Sequence, residues 1–224
     1  NNTLEGNTGS SISVDEGVAT VALTSSAKVD NVDLGVGITL DAEAGTEFKN
    51  ASILEATATT LVDAGVTLEG VSFAGPVTIS GPGADSSLTD LVFAKAVLVT
   101  ASGASPVAFN GITLNADLEI DSAATGTISL TGNIEGNGNN ITGEAITVSG
   151  AAVNNVIFDK EVTVANTAST LSGITFNGVL DLDESVALEG VTFTAASATL
   201  ELGSSSNTVT TDDIYILSGS TLTI

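Results

Sequence analysis

TLEGVSFAGPVTI, residues 67–79, sets two short apolar-polar alternations on either side of a turn, and its first half returns along the chain. The recurring phrase reads apolar, any, Gly/Asn/Asp, apolar, any, apolar. It matches VDNVDL (29–34), FKNASI (48–53), LEGVSF (68–73), LTDLVF (88–93) and FNGITL (109–114). It returns as VNNVIF (153–158), LSGITF (171–176) and LEGVTF (188–193). The closing residues are Leu34, Ile53, Phe73, Phe93, Leu114, Phe158, Phe176 and Phe193, spaced by 19, 20, 20, 21, 44, 18 and 17 residues. The long interval reads as two repeats, with a degenerate copy around LTGNI (130–134) and an insertion, EGNGNNITG (135–143).

The third place of the phrase is Asn31, Asn50, Gly70, Asp90, Gly111, Asn155, Gly173 or Gly190. These residue types tolerate positive φ, so one left-handed residue can turn the chain sharply between two strands. A second apolar pair follows four and six places after the closing residue, as Ile38/Leu40, Val77/Ile79, Val97/Val99, Leu118/Ile120, Val162/Val164 and Leu180/Leu182. A looser strand precedes each copy, as in GVTL (65–68) and GTISL (126–130).

Period-two alternation of this kind indicates strands, and a fixed repeat of this length indicates a stacked array. The expected fold is all-β: a single-stranded parallel β-helix (β-solenoid) of about 10–11 coils, each about 17–24 residues with three short strands. It is read as one domain, 1–224, with a loop insertion at about 135–143. No segment shows 3.6-residue periodicity. A β-sandwich is the rival, but it calls for two-residue hairpin loops rather than one corner residue per repeat. Leu, Ile, Val and Phe should fill the interior, with the Phe at one corner of successive coils. Thr67, Ser72, Thr78, Thr113, Thr163, Thr175 and Thr192 should face water.

Composition narrows the function. The chain has 27 acidic residues against four lysines (Lys28, Lys49, Lys95, Lys160), a formal charge of −23, and it lacks Cys, Met, Trp, His and Arg. Such a charge repels nucleic acid and anionic membranes. No apolar run reaches the roughly 18 residues of a membrane span. The start Asn1-Asn2, without Met, is read as the mature segment of an exported protein.

In its repeat grammar and in phrases such as SGSTLTI (218–224), the chain from about residue 12 to 224 resembles right-handed parallel β-helix proteins of bacterial and archaeal surfaces. These are adhesins, autotransporter passengers, and sheath or S-layer-associated repeat proteins. The resemblance implies a right-handed solenoid and a secreted, cell-surface location.

Many β-helices are polysaccharide lyases or hydrolases, so the acidic clusters are candidate sites. Lyases of this type place an Arg or Lys base beside calcium-binding acids; here Lys160 between Asp159 and Glu161 is the nearest match, but neighbouring strand residues point to opposite faces. Hydrolases need paired carboxylates, for which Asp181, Asp183 and Glu184, and the pair Asp212/Asp213, are the candidates. Asp181 and Asp183 alternate with Leu180 and Leu182, and with Glu184 they form the candidate Ca2+ ligand set. A solvated acidic edge is the plainer reading. No cofactor is required by any motif. The glycines of NGNN (137–140) lack the helix and Lys of a phosphate-binding loop. Thr-rich TAT (57–59) and TVTT (208–211) are isolated, against an ice-binding face. Sequons occur at Asn1, Asn50 and Asn140.

The sequence shows no capping helix and no charged plug at either end: it opens on NNTLEG, an echo of VTLEG (66–70), and closes on the strand phrase TLTI. The expected function is therefore a non-enzymatic extracellular structural protein that binds copies of itself, head to tail or side by side, into a filament, sheath or surface layer. Two alternatives stand beside it: a stalk or passenger segment of an adhesin with cell-surface or glycan contact, and a carbohydrate-active enzyme.

Overall fold

The computed structural model describes residues 3–15, 17–24, 26–63, 65–80, 86–100, 107–121, 128–143, 146–165, 169–184, 186–194, 198–202, 209–211, 213–216 and 222–223. Among them every regular element is a strand and every strand pairing is parallel. The chain is a parallel β-solenoid whose coils stack on three faces.

On the first face the inward residues run Leu4–Val29–Phe48–Leu68–Leu88–Phe109–Leu130–Val148–Val164–Leu182–Leu202, each paired with the next. Steps range from 16 residues (Val148 to Val164) to 25 (Leu4 to Val29). The second face carries Leu91–Ile112–Ile134–Val153–Leu171–Leu188–Thr211. The third carries Val77–Val97–Leu118–Ile141–Phe158–Phe176–Phe193–Ile216. These columns enclose one apolar core, in which Leu34, Phe48, Leu68, Leu114 and Phe176 have no exposed surface. Burying each such side chain contributes on the order of 1.5–3 kcal/mol, repeated at every level of the stack.

All eight corner residues named from the phrase have positive φ, from 50° at Asn50 to 82° at Gly111. The corner bends a strand without ending it, so Lys28–Leu34, Thr67–Phe73 and Val107–Leu114 each cross from the first face to the second. Consecutive corners also fit one another. A Cβ on Gly70 would stand 3.1 Å from the Asn50 side-chain oxygen, and one on Gly173 would stand 2.7 Å from that of Asn155. The polar side chain of one corner covers the bare Cα of the next.

The phrase does not stay on one edge. Up to residue 114 it opens on the first face and closes on the second; from residue 153 it opens on the second and closes on the third. The second apolar pair moves with it, lying on the third face as Val97/Val99 and on the first as Val162/Val164. The switch occupies strands Ile128–Thr142 and Ile146–Phe158, which each hold two corners, Gly132 with Asn137 and Gly150 with Asn155. The interval of 44 residues is thus two coils plus one further face.

This rotation corrects the expectation of a single corner for the Phe rings. All seven Phe are buried, but they divide among faces. Phe48 and Phe109 lie on the first, Phe73 and Phe93 stack on the second with centroids 5.3 Å apart, and Phe158, Phe176 and Phe193 stack on the third at 5.6 Å. The outward threonines and serine between them are half-buried, as the alternation requires.

The 135–143 insertion lies mostly within the strand Ile128–Thr142, where pairing skips residues 136–138. Its amides tie down the coil beneath. Asn137 and Asn139 Nδ2 both donate to the Leu114 carbonyl, at 3.2 and 3.0 Å, and Asn140 donates from its backbone and side-chain nitrogens to Asp117 Oδ1. Those side chains close a turn left open by the bulge.

One buried acid also organises a turn. The phrase closing at Ile53 has no apolar pair at 57 and 59; the chain loops wider and re-enters the third face at Thr60 and Val62. Glu55 fills the gap. It is only 5 % exposed and accepts from Gly37 N (2.7 Å), Thr57 N (2.8 Å), Ala58 N (3.2 Å) and the Thr57 hydroxyl. These donors, the Thr57 hydroxyl foremost, hold its carboxyl at about 2. A carboxyl held low in the folded state stabilises it above the ordinary carboxylate range and loses that contribution as pH falls through about 2. The expected result is a gap in melting temperature between the wild type and Glu55→Gln that is widest at neutral pH and closes between roughly pH 4.5 and 2. A gap independent of pH would show that the charge of Glu55 does not brace the turn.

Candidate functional site

Of the expected metal ligands, Asp181 projects half-buried from the strand Val179–Leu182, between Thr163 below and Glu201 above. Burial raises its carboxyl above the usual value, and the nearby charges of Asp183, Glu201 and Glu161 raise it further. Asp183 and Glu184 are exposed in the following turn, where Asp183 N donates to the Val164 carbonyl at 3.1 Å. Among the described residues no group of three or more acidic side chains is placed to hold a metal ion. Asp213 is exposed, and Asp212 lies outside the described residues. Asp159, Lys160 and Glu161 are all exposed on the turn before Val162.

The sequons serve structure. Asn50 is a corner whose Nδ2 donates to Asp30 at 2.8 Å, and Asn140 is engaged with Asp117; Asn1 is outside the described residues. Near the N-terminal end, the outward positions of the first face carry a chain of ion pairs. Lys28 meets Glu47, and Lys49 Nζ lies 3.7 Å from Glu47 and 3.0 Å from Glu69. Lys28 chiefly holds the Glu47 carboxyl below its usual value. These pairs are solvent-accessible and individually worth little.

The unusual surface is apolar. The exposed large hydrophobic side chains among the described residues are Leu4, Val18, Val36, Leu54 and Leu61, then Leu202, Tyr215 and Ile216. None lies between residues 62 and 201. Val18 and Val36 reach 74 % and 73 % exposure on adjacent coils at one edge. Sequence reasoning passed over these residues; Val18, Val36 and Leu54 lie just outside strands, where alternation does not report exposure.

Among the described residues, Thr3–Ile12 and Ala19–Leu23 pair with the coil that follows, and Val209–Thr211, Ile214–Ile216 and Leu222–Thr223 pair with the coil before. At the N-terminal end the inward side chains of the first coil leave an open cavity of about 190 Å³, lined by Leu4, Ile12, Val21, Leu23, Leu34 and Phe48. No helix among the described residues is long and apolar enough to cross a membrane. No family model matches the chain, and no curated protein or solved structure matches it either.

Proposed function

We propose that this chain is a non-enzymatic structural protein of an extracellular surface, whose solenoids join copy to copy into a filament, sheath or layer. The observation that carries this reading is that, among the described residues, exposed large apolar side chains are confined to the coils before residue 62 and after residue 201. The long middle of the solenoid keeps polar residues outward, as a surface meant for water does. Catalysis has little to work with: the chain has no His, Cys or Arg, and among the described residues no three acids gather where they could hold a metal ion. A heterologous contact generates an open polymer when its operation does not close, as for stacking along one axis.

Joining subunits of formal charge −23 works against their mutual repulsion. The assembly should therefore depend on ionic strength and on divalent cations, Ca2+ among them, that neutralise acids such as Asp181, Asp183 and Glu184. Negative-stain microscopy across salt and Ca2+ series is the test. Filaments or sheets should grow at moderate salt or with Ca2+, and shorten on desalting with a chelator. Short dispersed rods under every condition would overturn assembly and favour a stalk segment instead.

A further inference from the structure

The assembly reading leaves open which surfaces meet. We propose that a second copy docks side by side along the edge between the second and third faces, antiparallel, about a twofold axis at the level of Leu54. The inference rests on the assembly reading above and names a lateral contact for it. The edge is built by the turn before Ala19 and by the turns 35–37, 54–59, 74–76, 94–96 and 115–117, one above the other. Hydrogen bonds tie them together: Ala19 N donates to the Gly37 carbonyl at 2.8 Å, Thr60 N to that of Pro76 at 2.9 Å and Val77 N to that of Ala96 at 3.2 Å. These turns lie on the flank of the stack, where a further coil at either tip would not cover them.

Size and charge both make this edge complementary to its own rotated copy. Its lower turns carry large side chains, Val18, Val36 and Leu54, exposed by 74, 73 and 46 %. Its upper turns carry small ones, Ala74-Gly75-Pro76 and then Ala94 and Ala96. Gly75 is set deep: a Cβ there would stand 2.4 Å from the Glu55 carbonyl oxygen, so the surface dips above Leu54 where it protrudes below. In a chain of formal charge −23 the edge is also nearly bare of charge. Among the described residues of these turns, only the buried Glu55 lies between the exposed Asp15 and the exposed Lys95. Asp15 is two turns below Leu54 and Lys95 two turns above, each about 10 Å away at the strand spacing. Half a rotation about Leu54 therefore sets Lys95 of each copy against Asp15 of the other, Val36 against the dip at Gly75, and Leu54 against its own equivalent. Leu61, 43 % exposed on the third face just after the turn of Leu54, widens the apolar patch at the axis. Docking the same edges parallel would instead put Lys95 on Lys95 and Val36 on Val36, with the dips left empty. The protruding side chains are held ready, because Glu55 accepts from Gly37 N at 2.7 Å and pins the turn of Val36 to that of Leu54. Such an isologous contact is complete with two copies, and a layer or filament grows from the pair by a further contact.

The test is sedimentation of the full chain at moderate salt, with and without Ca2+, where the wild type should form pairs or larger species. Val36→Asp and Leu54→Asp replace exposed side chains, so the fold should survive; circular dichroism checks this, and Val36→Ser serves if a charge disturbs the turn. Each should weaken pairing by about tenfold or more. Lys95→Glu and Asp15→Lys should each weaken it too, whereas the double variant, whose formal charge is again −23, should pair as the wild type does. The chain has no Cys, so oxidised Leu54→Cys should link two copies across the axis, and Ala187→Cys, exposed on the second face away from this edge, should not. Pairing that survives both Asp variants, a charge-swapped double no better than its singles, or equal linking of the two Cys variants would overturn this contact while leaving assembly in place. A wild type that stays monomeric under every condition would remove both readings together.

Discussion

Phe176→Ala is expected to cost roughly 3–5 kcal/mol, the range for deleting a fully buried aromatic ring. Phe176 has no exposed surface, and its ring lies between two others: Phe158 at 5.6 Å and 18°, Phe193 at 5.6 Å and 25°. Removing the middle ring ends both stacking contacts at once, each worth about 0.5–1.5 kcal/mol beyond the area it buries. The neighbours cannot close the void easily. Phe158 and Phe193 are fixed by strands paired to the strand of Phe176 itself, so collapse would require the ladder to narrow. Because each coil touches only its neighbours, the damage should be local. Hydrogen exchange should show amides of residues 157–158, 175–176 and 192–193 losing protection, while those of Lys28–Leu34 keep theirs. Phe93→Ala breaks one stack rather than two and should cost less. Equal losses for the two variants would show that the stacks add nothing to burial.

The corners were legible because geometry restricts them so tightly. Only residues that accept positive φ can turn a strand in one step, and Asn31, Asp90 and Gly173 announce that choice by type. The face on which each corner lies was not legible. VNNVIF and FNGITL share a grammar, and nothing in either phrase says that Val153 stacks on Ile134 while Phe109 stacks on Leu88. That information sits in the number of residues between corners, and it appears only once strands are paired. Glu55 was hidden for a related reason: its partner Gly37 is 18 positions away and donates through the backbone. The missing apolar pair after Ile53 was the available signal. The acidic candidates were read from type and alternation: Asp181 does project from the strand with Leu180 and Leu182, whereas Asp183, read as the next outward position, falls with Glu184 in the following turn. The uncapped ends were read from the sequence, but the exposed apolar side chains near them, Leu4 and Ile216, were not, because exposure there depends on how coils stack rather than on local pattern.

Where the two halves of this grammar meet, Gly143→Ala should destabilise the protein by roughly 2–4 kcal/mol, combining backbone strain with overpacking. Gly143 leaves the strand Ile128–Thr142 at φ 111°, a conformation that side chains disfavour. A Cβ there would fall on the Ile120 carbonyl oxygen, with the carbonyl carbon at 2.9 Å and the Ile120 Cβ at 3.0 Å. None of these atoms can swing aside. Ile120 is buried, and its strand, Leu118–Ile120, is paired to Val97–Val99 on one side and to Ile141 and Thr142 on the other. The extra carbon must therefore part the third-face ladder at Leu118 and Ile141, the link that joins the coils before the phrase changes edge to those after it. Gly138→Ala is the matched control. It has positive φ as well, 79°, but a Cβ there meets nothing within 4 Å, so only the left-handed strain of about 1–2 kcal/mol should register. In urea unfolding the two variants should separate clearly, with Gly143→Ala the weaker. If they unfold together, the close approach of the Ile120 carbonyl is not what demands glycine, and the joint between the two halves is looser than this packing requires.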